Sequence, residues 1–249
     1  MTSPQSTYSR DETIAAVQSF YDFLVEFYLP PNAIKHPPPG GWPDIDHAFF
    51  RPPKSDEVVD LIKNLPFVDA RESDDEPYQV YEKSKCVDYS AFEDPGPDDF
   101  HPFPLAETIE ITESTIVLAA PTSHDGYWFI LDVSTGMMTL AEFGDNEWEE
   151  YAVPDFYEVI KSKFRSLEVY PIDAEDLEMA SRSSDTVNSR LKAIFVEHGW
   201  PSKEFRKKEC MRKIKIEYNA MYGWPVPEED EDEESDVQEL TSGMDVVGM

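Results

Sequence analysis

The spacing of apolar residues changes twice along this chain, and that change restricts the fold more than any motif does. Ile14, Val17, Tyr21, Leu24 and Tyr28 recur with the 3.6-residue period of an amphipathic helix. Ser9 and Glu12 stand in front of that run as a capping box, and Pro30-Pro31 stops it. A second, shorter helix is expected after Ser55, with Val58, Leu61, Ile62 and Leu65 as its apolar side. The period then becomes two. Strands are expected at 78–81, 86–89, 108–111, 115–120, 127–133 and 137–143. Gly136 supplies a positive φ for a hairpin turn after Asp132-Val133-Ser134-Thr135, and Thr122 to Gly126 reads as the preceding turn. Residues 115–143 therefore propose a three-stranded antiparallel meander. From Pro154 the helical period returns through Phe156, Val159, Ile160, Phe164 and Leu167. A polar stretch, 173–185, reads as a linker. Two further helices are marked by Val187, Leu191, Ile194 and Phe195, and by Met211, Ile214, Tyr218 and Met221. A helix, then strands, then helices gives an α+β fold, an antiparallel sheet packed with N-terminal and C-terminal helices.

The tripeptide Gly-Trp-Pro occurs at 41–43, 199–201 and 223–225. The second and third copies fall where a helical period ends. Glycine in the left-handed region, an apolar residue that packs back, and a proline that bars continuation make a helix-termination element. The first copy follows three prolines and no helix, so Trp42 is left as a candidate binding residue.

Charge is the outstanding feature of composition. The chain carries 21 basic and 52 acidic residues, a formal net of −31. Residues 228–249 hold ten of the acids and no base, so −21 remains on the first 227 residues. Such a field repels phosphate backbones and anionic membranes and attracts basic proteins. The one dense basic run, Lys203, Arg206, Lys207, Lys208, Arg212, Lys213 and Lys215, is expected on a helix face paired with the acidic body. Residues Met1 to Glu12 have no apolar core, so no secretory signal is expected there, no apolar run approaches membrane length, and Cys86 and Cys210 match no zinc or redox spacing. A cytoplasmic or nuclear protein with reduced thiols is expected, with neither nucleic acid nor membrane as its partner.

No catalytic signature accompanies these features. The five histidines, His36, His47, His101, His124 and His198, lack metal-ligand spacing. His198 precedes a capping glycine, where a cation complements a helix C-terminus. Asp44, Asp46 and His47 include metal-ligand types without the rest of a shell. Adjacent acids such as Asp74-Asp75-Glu76, Asp98-Asp99 and Glu149-Glu150 are expected by chance in so acidic a chain. No cofactor is implied. In Tyr127-Trp128-Phe129, strand alternation puts Trp128 on one face and Tyr127 and Phe129 on the other. If helices cover only one face, an aromatic row stays exposed and marks a binding surface.

Two resemblances follow from these pieces. The segments PPPGGWP, NLPFV, YWFILDVSTGMMTL, PDFYEVIKSKFRSLEVYP and EHGWP with FRKKECMRKI resemble a group of fungal proteins without assigned function. The N-terminal helix, the Pro/Gly/Trp segment and IVLAAPTSHDGYWFILDVSTGMMTL before a helix resemble the SUKH superfamily. That superfamily includes a fungal regulator of cell-wall synthesis and bacterial immunity proteins, which act through protein contacts. The resemblance implies a SUKH-like α+β domain over 1–172, followed by a helical extension over 173–227 and a disordered acidic tail over 228–249. The extension and the tail depart from a minimal domain of this kind. The expected function is a non-enzymatic regulatory protein that binds a basic partner through Trp42, Tyr127, Trp128 and Phe129. The alternative is a small-molecule enzyme or accessory protein of a fungal metabolic pathway, with a pocket near Trp42, Trp128 and a loop histidine.

Overall fold

The computed structural model of the chain describes residues 8–50, 53–70, 76–92, 109–145 and 147–225. Helix α1 (Arg10–Phe27) begins where the capping box placed it, with the Ser9 hydroxyl accepting from the Glu12 amide at 3.4 Å. Val17, Phe20, Tyr21, Leu24 and Phe27 form its buried side. Its last turn carries no basic residue of its own. Lys207, far along the chain, donates instead to the carbonyls of Val25 and Leu29 and complements the helix C-terminus. A short strand β1 (Ile34–Lys35) precedes helix α2 (Asp56–Asn64), which Ser55 caps, and pairs with β2 (Phe67–Val68) directly after it.

The main sheet has six antiparallel strands in sequence order: β3 (Gln79–Tyr81), β4 (Ser84–Cys86), β5 (Thr115–Pro121), β6 (Tyr127–Asp132), β7 (Met137–Glu142) and β8 (Trp148–Ala152). The expected meander is its centre. Phe129 pairs with Leu140, and Trp128 with Ala141, which in turn faces Trp148. The strand expected at 86–89 ends at Cys86, because the Asp88 carboxylate accepts from the Ser90 amide at 3.0 Å and turns the chain. Residues 109–111 of the strand expected at 108–111 lie against the outer apolar cluster without pairing, and residue 108 lies outside the described residues. Strand β8 was not expected: Glu149 and Glu150 break its alternation, and its position at the sheet edge permits that.

Helix α3 (Val153–Arg165) follows with Pro154 in its first turn. It lies beside α1 on one face of the sheet, where Phe129 meets Phe156 edge-on at 4.9 Å and Phe27 meets Phe164 at 6.0 Å. The stretch read as a linker is ordered structure. Strand β9 (Val169–Pro171) pairs with β10 (Leu177–Met179), and Gln79 ties the intervening turn to β3. The Gln79 amide donates from its side chain to Glu175 O (2.6 Å) and from its backbone to Ala174 O (3.0 Å). Polar composition concealed this because the stretch contributes few apolar side chains, Leu177 the one fully buried among them, and backbone carbonyls make the bonds to Gln79. Helices α4 (Asp185–Glu197) and α5 (Lys207–Tyr222) are the last elements among the described residues, and Leu191, Phe195, Trp200 and Ile214 join the same buried cluster as α1 and α3. The acidic tail expected at 228–249 lies outside the described residues.

Candidate interaction surface

The four aromatic residues singled out in the sequence are all tied into the fold. Tyr127 and Phe129 point to the helix face, as alternation requires. The Tyr127 ring meets Tyr81 edge-on at 5.0 Å, and its hydroxyl donates to Glu142 Oε2 at 3.2 Å. Trp128 points the other way, into a second cluster with Val117, Ile130 and Ala141, and is only 8% exposed. Trp42 closes the C-terminus of α2 from outside. Its amide donates to Lys63 O and its indole N–H to Leu65 O, both at 2.9 Å, while its ring stacks on Phe67 at 5.7 Å. Gly41 holds φ +82°, and a methyl group there would lie 2.6 Å from Lys63 O. The first Gly-Trp-Pro is thus also a helix-closing element, acting on a helix that follows it in sequence. Trp42 and Trp128 belong to different clusters, so the structure does not bring them together.

Two clefts are small by the standard of ligand sites, which run to about 300–1,000 Å³. One of about 220 Å³ lies where α1 and α3 begin, between Ser9, Glu12, Thr13, Val153 and Pro154. The other, about 100 Å³, is lined by Tyr81, Lys163, Glu168, Met179 and Ser181. Beside it Arg182 bridges Glu82 (2.9 Å) and Glu142 (2.7 Å). Burial raises the Glu82 carboxyl to about 7, against the pull of Arg182. Asp46 serves as a turn acceptor for Ala48 N (2.7 Å), and His47 faces Asp56 at 3.4 Å. Among the described residues no three His, Cys, Asp or Glu side chains are grouped to hold a metal ion. Burial pushes both the Cys86 and Cys210 thiols up to about 12, which keeps them protonated and unreactive at neutral pH. The His198 ring Nδ1 lies 2.7 Å from Ile194 O; since a carbonyl only accepts, this nitrogen carries the proton.

The exposed aromatic surface lies elsewhere, at the end of α5. Gly223 adopts φ +70°, and the Trp224 amide returns to Asn219 O at 2.9 Å, the closing bond of a left-handed cap. The Trp224 ring is set on the last turn, stacked on Tyr222 at 5.4 Å and edge-on to Tyr218 at 5.8 Å. Tyr222 is 50% and Trp224 54% exposed. Beneath them the Tyr218 hydroxyl donates to Glu178 Oε1 at 2.9 Å, and Ser183 donates to Glu178 Oε2 at 2.8 Å. Asp176 lies within Coulombic reach of the Tyr218 hydroxyl. Its own carboxyl is raised to about 6, by burial first and then by Asp173 and Glu178. The patch is therefore aromatic above and anionic below. In the sequence Tyr222 sits one helical turn beyond Tyr218 and on the same face, and Trp224 follows the capping glycine; this spacing marks a helix face and its cap but carries no signal of exposure.

Four members of the basic run are engaged within the chain. Lys207 caps α1, Lys213 lies 3.7 Å from Glu197, Lys215 pairs with Asp173, and Arg206 holds Glu209 at 2.9 Å and Glu197 O at 3.0 Å. On the facing helix α4, Arg190 pairs with Glu217. No helix among the described residues is long and apolar enough to cross a membrane. Comparison of the chain with protein-family models, with curated proteins and with solved structures finds no match.

Proposed function

We propose that this chain is a non-enzymatic intracellular protein-interaction protein, regulatory in role, that takes a basic protein as its partner. One observation carries the reading: the net charge is −31, and three cations of α5, Lys207, Lys213 and Lys215, are engaged by the chain's own carbonyls and carboxylates. An acidic exterior remains for a partner to meet. Long-range attraction of that kind steers association, while desolvated anchors set how long the complex lasts. Tyr222 and Trp224 are the exposed aromatic anchors, of the residue types enriched at binding hot spots. The SUKH resemblance, to proteins that act through contacts, supports the same reading. The enzyme alternative has less support, because Trp42 and Trp128, which it places at one pocket, belong to different clusters.

The test is capture from a lysate of the source cell at about 0.15 M salt, followed by reconstitution with the purified captured protein. The partner is expected to be basic, with an association rate that falls steeply as salt rises. A reconstituted partner that is neutral or acidic, or an association rate indifferent to salt, would reject the reading.

A further inference from the structure

We infer that the stacked Tyr222–Trp224 pair is an arginine-binding platform, which takes guanidinium groups of the basic partner against its open ring faces. The inference rests on the interaction reading above and names the chemistry that this reading leaves open. Two features point to a cation. The two rings lie at 30° to each other with half of each exposed, so aromatic surface is presented to solvent. Cations within about 6 Å of such a face are attracted by the ring quadrupole, most strongly by Trp. The carboxylates below supply the sign: Glu178 accepts from the Tyr218 hydroxyl, and Asp176 lies within Coulombic reach of it.

The platform is also held in place. Gly223 fixes the turn, Trp224 N bonds back to Asn219 O, and the Asn219 side-chain amide donates to Pro225 O at 2.6 Å. A ring pair already oriented loses little freedom on binding. Arginine suits it better than lysine, because the guanidinium is flat, weakly hydrated and able to stack, whereas an ammonium is a compact and strongly hydrated point charge. A second copy of this chain is the other occupant an aromatic patch could recruit. Two bodies of −31 each would then have to meet, and their repulsion opposes it.

Two peptides equal in length and net charge, one built with arginine only and the other with lysine only, distinguish these cases by titration calorimetry on the full chain. The arginine peptide is expected to bind about tenfold more tightly, and Trp224→Ala or Tyr222→Ala should remove most of that preference while leaving the lysine peptide nearly unaffected. Trp224→Phe should retain part of it. Equal wild-type affinities for the two peptides, or a preference that survives both alanine variants, overturns the platform; the wild-type comparison decides even if a variant fails to fold. If both peptides bind equally, the platform alone falls. If neither binds even at about 0.05 M salt, the basic-partner reading falls with it.

Discussion

Trp200 and Trp224 occupy the same position in the same tripeptide, after the same left-handed glycine, at the ends of adjacent helices. Gly199 has φ +96° and Gly223 φ +70°, and each tryptophan amide bonds back across the last turn, to Phe195 O at 3.0 Å and Asn219 O at 2.9 Å. The side chains then diverge. Trp200 is 6% exposed, lies flat on Phe27 at 3.8 Å, and donates its indole N–H to Phe164 O at 3.2 Å. Trp224 is 54% exposed and touches rings of its own helix. The local motif sets the backbone, and whatever lies opposite decides burial. For α4 that is the end of α1, Phe23 and Phe27; for α5, among the described residues, the rings against Trp224 are Tyr218 and Tyr222 of its own helix. A cap tryptophan left half-exposed is one available for a partner.

The largest effect should separate the two rings by stability. Trp200→Ala removes a stacked ring from the core and should cost about 3–5 kcal/mol. Trp224→Ala should stay within about 0.5 kcal/mol, as surface substitutions do. Urea titration of both variants measures the pair. A loss for Trp224→Ala close to that for Trp200→Ala would show a hidden contact and end the comparison.

The glycines test the shared half of the motif. Alanine in the left-handed region costs roughly 1 kcal/mol, which is the loss expected for Gly223→Ala, where a methyl group meets nothing within 4 Å. At Gly199 the methyl group would also lie 3.1 Å from Glu204 O, so Gly199→Ala should lose about 2 kcal/mol. Equal losses in thermal melts would mean that the 199–205 turn yields without strain.

These residues also show what the sequence made legible. Helix starts at Ser9 and Ser55, both C-terminal caps and the central meander depend on local spacing, and local spacing is written in the chain. What escaped depends on distant partners. The β9–β10 hairpin is held through Gln79, the end of α1 by Lys207, and the end of α2 by Trp42, each from beyond any local window. The candidate site escaped for a related reason. Alternation assigned Tyr127, Trp128 and Phe129 to faces, yet their burial depends on what packs over each face. Tyr222 and Trp224 are open for the complementary reason: a half-exposed ring is a fact about missing neighbours, and periodicity says nothing of those.

Trp42 extends the comparison to a cap supplied from outside its helix. Trp42→Phe keeps a ring against Phe67 and deletes only the indole bond to Leu65 O, so a loss of about 1 kcal/mol is expected by urea titration. No loss would assign the closure of α2 to the backbone bond between Trp42 N and Lys63 O alone.

The smallest effect concerns the charge under the exposed ring, which the buried ring lacks. Asp176 titrates near 6, raised by burial and by Asp173 and Glu178, with Lys215 and Lys83 opposing. Raised above its ordinary value near 3.9, it favours the fold most when protonated. That contribution should be fully present at about pH 4 and lost as pH rises through 6. Binding of a cationic peptide has the opposite sign, since the carboxylate attracts only once it is ionised. In water a unit charge at about 8 Å is worth roughly 0.5 kcal/mol, about twofold in affinity. Lowering pH from about 7 to 5 should therefore weaken an arginine peptide about twofold more in the wild type than in Asp176→Asn. Over the same interval the wild-type melting temperature should gain relative to that variant, and Glu82→Gln serves as the control for the other raised carboxyl, which titrates near 7. If the variant's affinity follows the same pH curve as the wild type, Asp176 does not act on the Tyr222–Trp224 face, and the anionic half of the patch must be assigned to Glu178 alone.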